Sequence, residues 1–256
     1  MLVTIDCGNT HIVLGIYSGD QLLRHWRIST DPDRTADEHA AIFDTLFHIA
    51  GLKPPLRPEG VAVACVVPGL NQVIEQIVEQ YFQAVPLMVG PGIKTGMPIL
   101  YENPKEVGAD RIVDAVAAYD KYATACIVVD FGTATTFDYV TGRGEYAGGA
   151  IAPGLLVSMD ALIENAAKLH RVELARPREA VGRTTVSSIQ SGMIFGYTAL
   201  VDGLVNRIRR ERGEPAHVIA TGGLASLIAP ESETIEEVDE YLTLKGLRLI
   251  YERNRR

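Results

Sequence analysis

The sequence predicts an α/β protein of two tandem, similar domains facing a cleft. Three observations lead there. Apolar runs of strand length alternate with segments of helical period along the whole chain. The tetrad Asp6-Cys7-Gly8-Asn9 returns 124 positions later as Asp130-Phe131-Gly132-Thr133. In each half that tetrad ends an apolar strand and precedes a second strand that closes on a glycine turn, at Gly19 and at Gly142. A chain whose halves restart in the same way is best read as two copies of one unit. The boundary is expected near a helix at residues 110–122, giving domains 1–115 and 116–256.

The elements follow in order. Residues 2–5, 11–17 and 21–28 read as three strands, an opening meander joined at its second turn by Ser18-Gly19-Asp20. Thr35-Ala36-Asp37-Glu38 fits a capping box, in which the threonine oxygen accepts an amide and the glutamate reaches back. The helix it opens carries Ile42, Leu46 and Ile49 and stops at Gly51. Residues 61–67 are a continuous apolar run, as in a buried strand. Residues 71–82 are an amphipathic helix, with Val73, Ile74, Ile77, Val78 and Phe82. Glycine and proline cluster from 86 to 104, a loop-rich crossing with short strands. The helix at 110–122 follows, with Ile112, Val113, Val116 and Ala117 on one side. Residues 125–129 form another apolar strand, and 137–140 lead to the turn at Thr141-Gly142. Helices are expected at 155–169 and 187–212. A strand at 217–220 ends in Thr221-Gly222-Gly223, and a helix at 242–251 precedes an exposed basic tail that includes Arg253, Arg255 and Arg256.

Composition bounds the function. The 256 residues carry 24 Lys and Arg against 32 Asp and Glu, a net charge of −8. This argues against a general nucleic-acid binder, which needs cations to displace phosphate counterions. With 47% hydrophobic residues the chain is not a disordered one. Cys7, Cys65 and Cys126 form no CxxC, and their odd number excludes a complete disulfide framework, so a reducing, cytoplasmic location is expected. No apolar run reaches the roughly 20 residues that span a bilayer, and the opening residues read as a strand, not a leader. No zinc pattern is present, and the histidines at 11, 25, 39, 48, 170 and 217 are scattered. No G-x-x-x-x-G-K-[ST] occurs. The loose G-x-G-x-x-A at Gly142–Ala147 follows a hairpin, not a strand-to-helix turn, which argues against a dinucleotide site.

The repeated Asp-x-Gly-[Asn/Thr] turn has a physical use. Glycine lets backbone approach a phosphate without a Cβ clash. Amides and hydroxyls there donate to phosphate oxygens, and a strand-end aspartate can hold a hydrated cation. One such turn serves an ordinary tight turn as readily. Two copies, with a third glycine turn at Thr221-Gly222-Gly223, favour nucleotide binding.

These three turns resemble the phosphate and adenosine motifs of the acetate kinase, sugar kinase, Hsp70 and actin superfamily. That resemblance implies two ribonuclease-H-like domains with ATP between them. Asp6–Thr10, Gly108-Ala109-Asp110-Arg111, Asp130–Thr136, Gly148–Gly154, Thr184–Gly192 and Ala220–Gly223 more closely resemble the type III pantothenate kinase family, in that family's order and over essentially the whole chain. Cys7 and Thr184 depart mildly from its pattern, and neither removes a group the chemistry needs. The resemblance implies ATP-dependent phosphorylation of pantothenate to 4′-phosphopantothenate, the first step toward coenzyme A. It also implies magnesium with ATP, dependence on potassium or ammonium, and a homodimer.

Roles carry over by position. ATP falls to Asp6, Cys7, Gly8, Asn9, Thr10, His11, Ile12, Val13, Thr133, Gly222 and Gly223, with Asp6 near magnesium. Asp130 matches the monovalent-cation ligand, although a strand-end turn alone also uses aspartate. Pantothenate falls to Tyr101, Gly108, Ala109, Asp110, Arg111 and Thr185. Asp110 matches the general base, a task that suits a carboxylate within hydrogen-bond reach of the hydroxyl. Plainer roles stand beside these: a helix cap for Asp110 and for Thr185, packing for Tyr101, an ion pair with Asp114 for Arg111, and ordinary turns for 148–154. A noncatalytic, accessory-factor-like nucleotide binder and another small-alcohol kinase of the superfamily are the alternative functions. A nucleotide binder without catalysis has no need of Asp110 beside Arg111, nor of Tyr101.

Overall fold

A computed structural model describes residues 1–52 and 56–255. The chain divides into two compact units. The first holds Met1–Pro98, Glu102–Ala117 and the segment from Thr243 onward; the second holds Ile99–Tyr101 and Ala118–Leu242.

The first unit is built on a five-stranded sheet. Its strands are β1 (Leu2–Cys7), β2 (His11–Ser18), β3 (Gln21–Ser29), β4 (Gly60–Cys65) and β5 (Pro86–Met88), in the order β3-β2-β1-β4-β5. β1 is central, antiparallel to β2 and parallel to β4, which explains why it is apolar almost throughout. β3 lies at the edge, and Arg24, His25 and Arg27 keep that edge hydrophilic. Helix α1 (Ala36–Ile49) opens with the expected capping box at Thr35 and Glu38. Its buried face is His39, Ala40, Phe43 and Phe47, whereas Ile49 is 76% exposed. The aromatic side chains set the helix rotation, because they bury more area than Ile49 offers. Trp26 meets Phe47 edge-on at 5.2 Å, and Phe47 lies 6.0 Å from Phe82.

The segment at 71–82 is not one regular helix. Helix α2 (Asn71–Ile77) gives way to a wider π-type turn at Val78–Phe82, which ends on Gln83 with φ of 53°. Helix α3 (Ala109–Tyr122) carries the chain into the second unit, and every residue from 111 to 118 is buried.

The second unit repeats the first, strand for strand. Its strands are β6 (Cys126–Phe131), β7 (Ala134–Val140), β8 (Tyr146–Pro153), β9 (His217–Thr221) and β10 (Glu237–Val238), in the order β10-β9-β6-β7-β8. β6 stands for β1, with the same alternation of burial along its six residues. β7 and β8 continue antiparallel, and β9 and β10 parallel, as β2, β3, β4 and β5 do. The glycine-proline stretch read as turns is therefore strand β8. Pairing with β7 leaves no room for a side chain at Gly149, where a Cβ would fall 1.6 Å from the Phe137 carbonyl oxygen. Low strand propensity hides the strand, yet the close approach requires glycine.

Helices α4 (Leu155–Asn165) and α5 (Thr185–Arg212) follow β8; α4 is shorter than expected, and α5 begins two residues earlier. Helix α6 (Ala225–Ile228) follows β9. Helix α7 (Leu242–Asn254) then returns to the first unit, where a Cβ at Gly246 would lie 2.1 Å from the Val113 carbonyl oxygen. Glycine there lets α7 close on α3. The basic end is not a loose tail: Arg253 donates to the Thr95 carbonyl, and Arg255 sits 3.4 Å from Glu59. Arg256 lies outside the described residues.

Candidate active site

Open α/β sheets bind ligands beyond the carboxyl ends of their strands. In the first unit those ends hold Asp6-Cys7 on β1 and Cys65 on β4. Beyond Cys7 the chain turns through Gly8, Asn9 and Thr10 into His11, closed by the Gly8 amide donating to the His11 carbonyl at 3.0 Å. Thr30 pins the turn from outside, its hydroxyl donating to the Gly8 carbonyl at 2.6 Å. Asn9, Thr10 and His11 are exposed, and Asp6, Gly8 and Val13 are half-buried. Cys7 and Ile12 are fully buried in the core, so only their backbone is available to a ligand. Partial burial, aided by Arg27, holds His11 below the ordinary imidazole range.

Asp110 stands in the first turn of α3, where the partial positive charge of the helix start favours a carboxylate. It is not the helix cap, since α3 begins one residue earlier. Its Oδ1 accepts the Arg111 amide at 2.8 Å. A Cβ on Gly108 would fall 2.4 Å from that same Oδ1. Glycine therefore makes the space into which the carboxylate folds. Burial pushes the Asp110 carboxyl above its usual range, against the lowering effect of the Arg111 amide and guanidinium. A raised carboxylate is a stronger base than a solvated one. Arg111 and Asp114 are 9% and 3% exposed, so a surface ion pair is not the role of this arginine.

One neighbour of this region is not legible in the sequence motifs. Val66 donates its amide to the Cys7 carbonyl at 3.0 Å, and its Cγ1 lies 3.5 Å from the Cβ position of Gly108. It thus touches both the end of the β1 turn and the Asp110 support. The apolar run at 61–67 carries it, and the end of a central strand is the signal that marks it. Beside it, Cys7 and Cys65 are register partners on β1 and β4. The closeness of the two thiols, with burial, pushes Cys7 up, while the interaction with Cys7 and the bond to the Val67 carbonyl hold Cys65 below the ordinary thiol range.

In the second unit, Asp130 is half-buried at the end of β6, and Gly132 and Thr133 form the exposed turn after it. Two glycines press on this turn. Gly222, at φ of 88°, would put a Cβ 2.3 Å from Asp130 Oδ1; Gly154 would put one 2.3 Å from the Thr133 carbonyl oxygen. Gly154 also donates its amide to that oxygen at 3.0 Å. Tyr197 holds the Gly154 side from α5, its hydroxyl donating to the carbonyls of Pro153 and Gly154 at 3.0 and 3.2 Å. Gly223 is exposed beside Gly222.

Tyr101 packs against Tyr146, with ring centroids 6.4 Å apart. Tyr146 is fully buried and donates to the buried Asp138 at 2.6 Å, while its backbone carbonyl accepts the Leu100 amide at 2.8 Å. Thr185 is the exposed first residue of α5, but the capping box belongs to Thr184 and Ser187. Thr185 borders a groove of about 690 Å³ lined also by Leu162, Arg183, Ser188 and Met193.

Among the described residues no three acidic, histidine or cysteine side chains gather as a metal-binding cluster. The single carboxylates Asp6 and Asp130 fit a cation that takes its other ligands from a nucleotide or from water. Glycine at 222 lets the chain pack against the Asp130 carboxylate, where a Cβ would fall 2.3 Å from Oδ1.

Residues 2–207 match the family model for type III pantothenate kinase. The type III pantothenate kinase of Geotalea daltonii is 60% identical over 255 residues, covering 100% of this chain and 99% of that protein. Among solved structures, a Baf family protein from Campylobacter jejuni aligns with a TM-score of 0.61 at 17% identity, over 99% of this chain and 98% of that one. An inorganic polyphosphate/ATP-glucomannokinase from Arthrobacter aligns with a TM-score of 0.51 at 13% identity, over 100% and 99%. These two likenesses show the two-domain actin-like and sugar-kinase fold. The chain belongs to the type III pantothenate kinase family.

Proposed function

We propose that this enzyme, which phosphorylates pantothenate with ATP on the way to coenzyme A, uses Asp110 as its general base. The observation that carries the assignment is the desolvated carboxylate folded over Gly108, beside the β1 turn. As the γ-phosphoryl group leaves ADP, the primary hydroxyl of pantothenate attacks phosphorus, and Asp110 takes the hydroxyl proton. Turn residues 6–13, with Thr133, Gly222 and Gly223, serve ATP; Tyr101, Gly108, Ala109, Arg111 and Thr185 serve pantothenate. Amides and hydroxyls of the turns stabilise charge on the phosphate oxygens.

Kinase chemistry implies a divalent metal with ATP, and we assign it magnesium near Asp6; when bound it neutralises charge on the transferred group. Asp130 is assigned to potassium or ammonium. A homodimer is assigned from family likeness and from Leu156, Val157, Leu162 and Val186 on α4 and α5, which are 39–49% exposed. Sedimentation equilibrium at micromolar concentration checks the dimer; a monomer there contradicts it. No described helix is long and apolar enough to cross a membrane.

The test of the activity is ADP release, coupled to an indicator reaction, with pantothenate and with a panel of other small alcohols. Release that depends on pantothenate supports the proposal. Equal release with unrelated alcohols, or none with pantothenate, contradicts it. Replacing potassium and ammonium by sodium should remove most activity; full activity in sodium alone contradicts the Asp130 assignment.

A further inference from the structure

The structure places two thiols together at the edge of the site, and the chemistry proposed above uses neither sulfur. Cys7 ends β1 and Cys65 ends β4, and the two are direct register partners in parallel strands. Side chains of register partners point to the same face of a sheet. Neighbouring strands lie about 4.8 Å apart, inside the window of about 4.4–6.8 Å between Cα atoms that a disulfide accepts. The pairing runs unbroken from Leu2 and Gly60 to these two residues, so no bulge separates them. Cys7 is fully buried, whereas Cys65 is partly open to solvent and donates to the Val67 carbonyl at 3.4 Å. The third cysteine, Cys126, is fully buried in β6 of the other unit.

We propose that Cys7 and Cys65 form a peroxide-sensitive dithiol whose closure to a disulfide switches off the adjoining β1 turn. Hydrogen peroxide reaches the partly exposed member, Cys65. The sulfur attacks one peroxide oxygen, the O–O bond breaks, and Cys65 becomes a sulfenic acid while one water leaves. The Cys7 sulfur then attacks the Cys65 sulfur, the S–O bond breaks, and the second water leaves with the Cys7 proton. Two thiols lose two electrons in all, and one peroxide is reduced to two waters. A thiol reductant reverses the closure by exchange.

Closure acts on function through geometry. Cys7 immediately precedes Gly8, and its carbonyl accepts the Val66 amide. Val66 immediately follows Cys65 and lies against Gly108, which supports Asp110. Drawing the two sulfurs to bonding distance shifts Cys7 and Val66 together, and with them the turn and the carboxylate. The effect on catalysis rests on the Asp110 and β1-turn assignments; formation of the bond does not.

The experiment treats the full-length enzyme with hydrogen peroxide, digests it without reduction and maps linked peptides by mass spectrometry, with ADP release measured in parallel. The expected result is an intramolecular Cys7–Cys65 link, loss of most activity and recovery of both with dithiothreitol. Cys65→Ser should retain basal activity, form no link and keep its activity in peroxide. Cys126→Ser should behave as wild type. Absence of the link, or oxidation confined to Cys126, overturns the dithiol. A link without loss of activity overturns the switch. A Cys65→Ser variant inactivated by peroxide as fast as wild type overturns it also. Failure of the untreated enzyme to use pantothenate would instead show up before any oxidant is added, and would leave the link itself measurable.

Discussion

The two units hold the same sheet, yet end their central strand pair differently. In the first, β1 and β4 stay in register to Cys7 and Cys65, and a three-residue turn follows. In the second, β6 and β9 part after Asp130 and Thr221, and the position that corresponds to Cys65 is Gly222. The chain bends there at positive φ and closes on the Asp130 carboxylate. The turn after β6 is one residue shorter and is packed by two glycines. One architecture thus supplies two kinds of site. The second unit has a rigid cradle with no room for change at Gly154 and Gly222. The first has a looser turn, a dithiol and a helix start that carries a desolvated carboxylate.

If this contrast is real, substitutions should separate by unit. The largest effect belongs to Asp110→Asn. Loss of a general base typically costs about 10²–10⁴ in rate, and kcat should fall by that order while the fold persists. Stability should not fall. The folded carboxyl lies above its unfolded value, so ionisation opposes folding. That cost is absent below the unfolded pKa and complete above the folded one. At neutral pH the asparagine removes it, and thermal unfolding should show an equal or higher Tm. A clearly lowered Tm would make Asp110 a structural residue.

Gly222→Ala reverses the pattern. The positive φ alone should cost ~1–3 kcal/mol, and the contact with Asp130 adds to it, so Tm should drop and activity should fall with it. An unchanged Tm would mean the second turn is no tighter than the first. Gly108→Ala belongs with Asp110: its φ is ordinary, so the fold should hold while the displaced carboxylate lowers kcat. Loss of stability without loss of kcat would break that link. The smallest effect is at Thr35→Ala, which removes the capping box of α1 at about 1 kcal/mol and should leave kcat unchanged. A changed kcat would mean that α1 is coupled to the site.

Much of this was legible from the residues. The tetrad repeat announced β1 and β6 because a strand-end aspartate and glycine are needed at both places. Capping residues fixed the start of α1. β8 is hidden because Gly148 and Gly149 weaken any strand signal; the approach of the Phe137 carbonyl explains Gly149, and a φ of 100° explains Gly148. On α1, Ile42 and Leu46 pack against the core as their period suggests, but Ile49 does not, because Phe43 and Phe47 bury more and set the rotation. Within the site, Asp110 and Gly108 were legible as a motif. The parts held by pairing between distant segments were not: Val66 against Cys7, Tyr146 beneath Tyr101, and Tyr197 beneath Gly154.

The most direct measurement is the pH dependence of pantothenate-dependent ADP release by the wild type and by Asp110→Asn. A base must be ionised to act, and burial holds this one above the ordinary carboxylate range. The account predicts wild-type activity that falls as pH drops through that raised pKa, and a variant with low activity and no such acid limb. Near wild-type turnover in the variant, or the same acid limb in both, would contradict it.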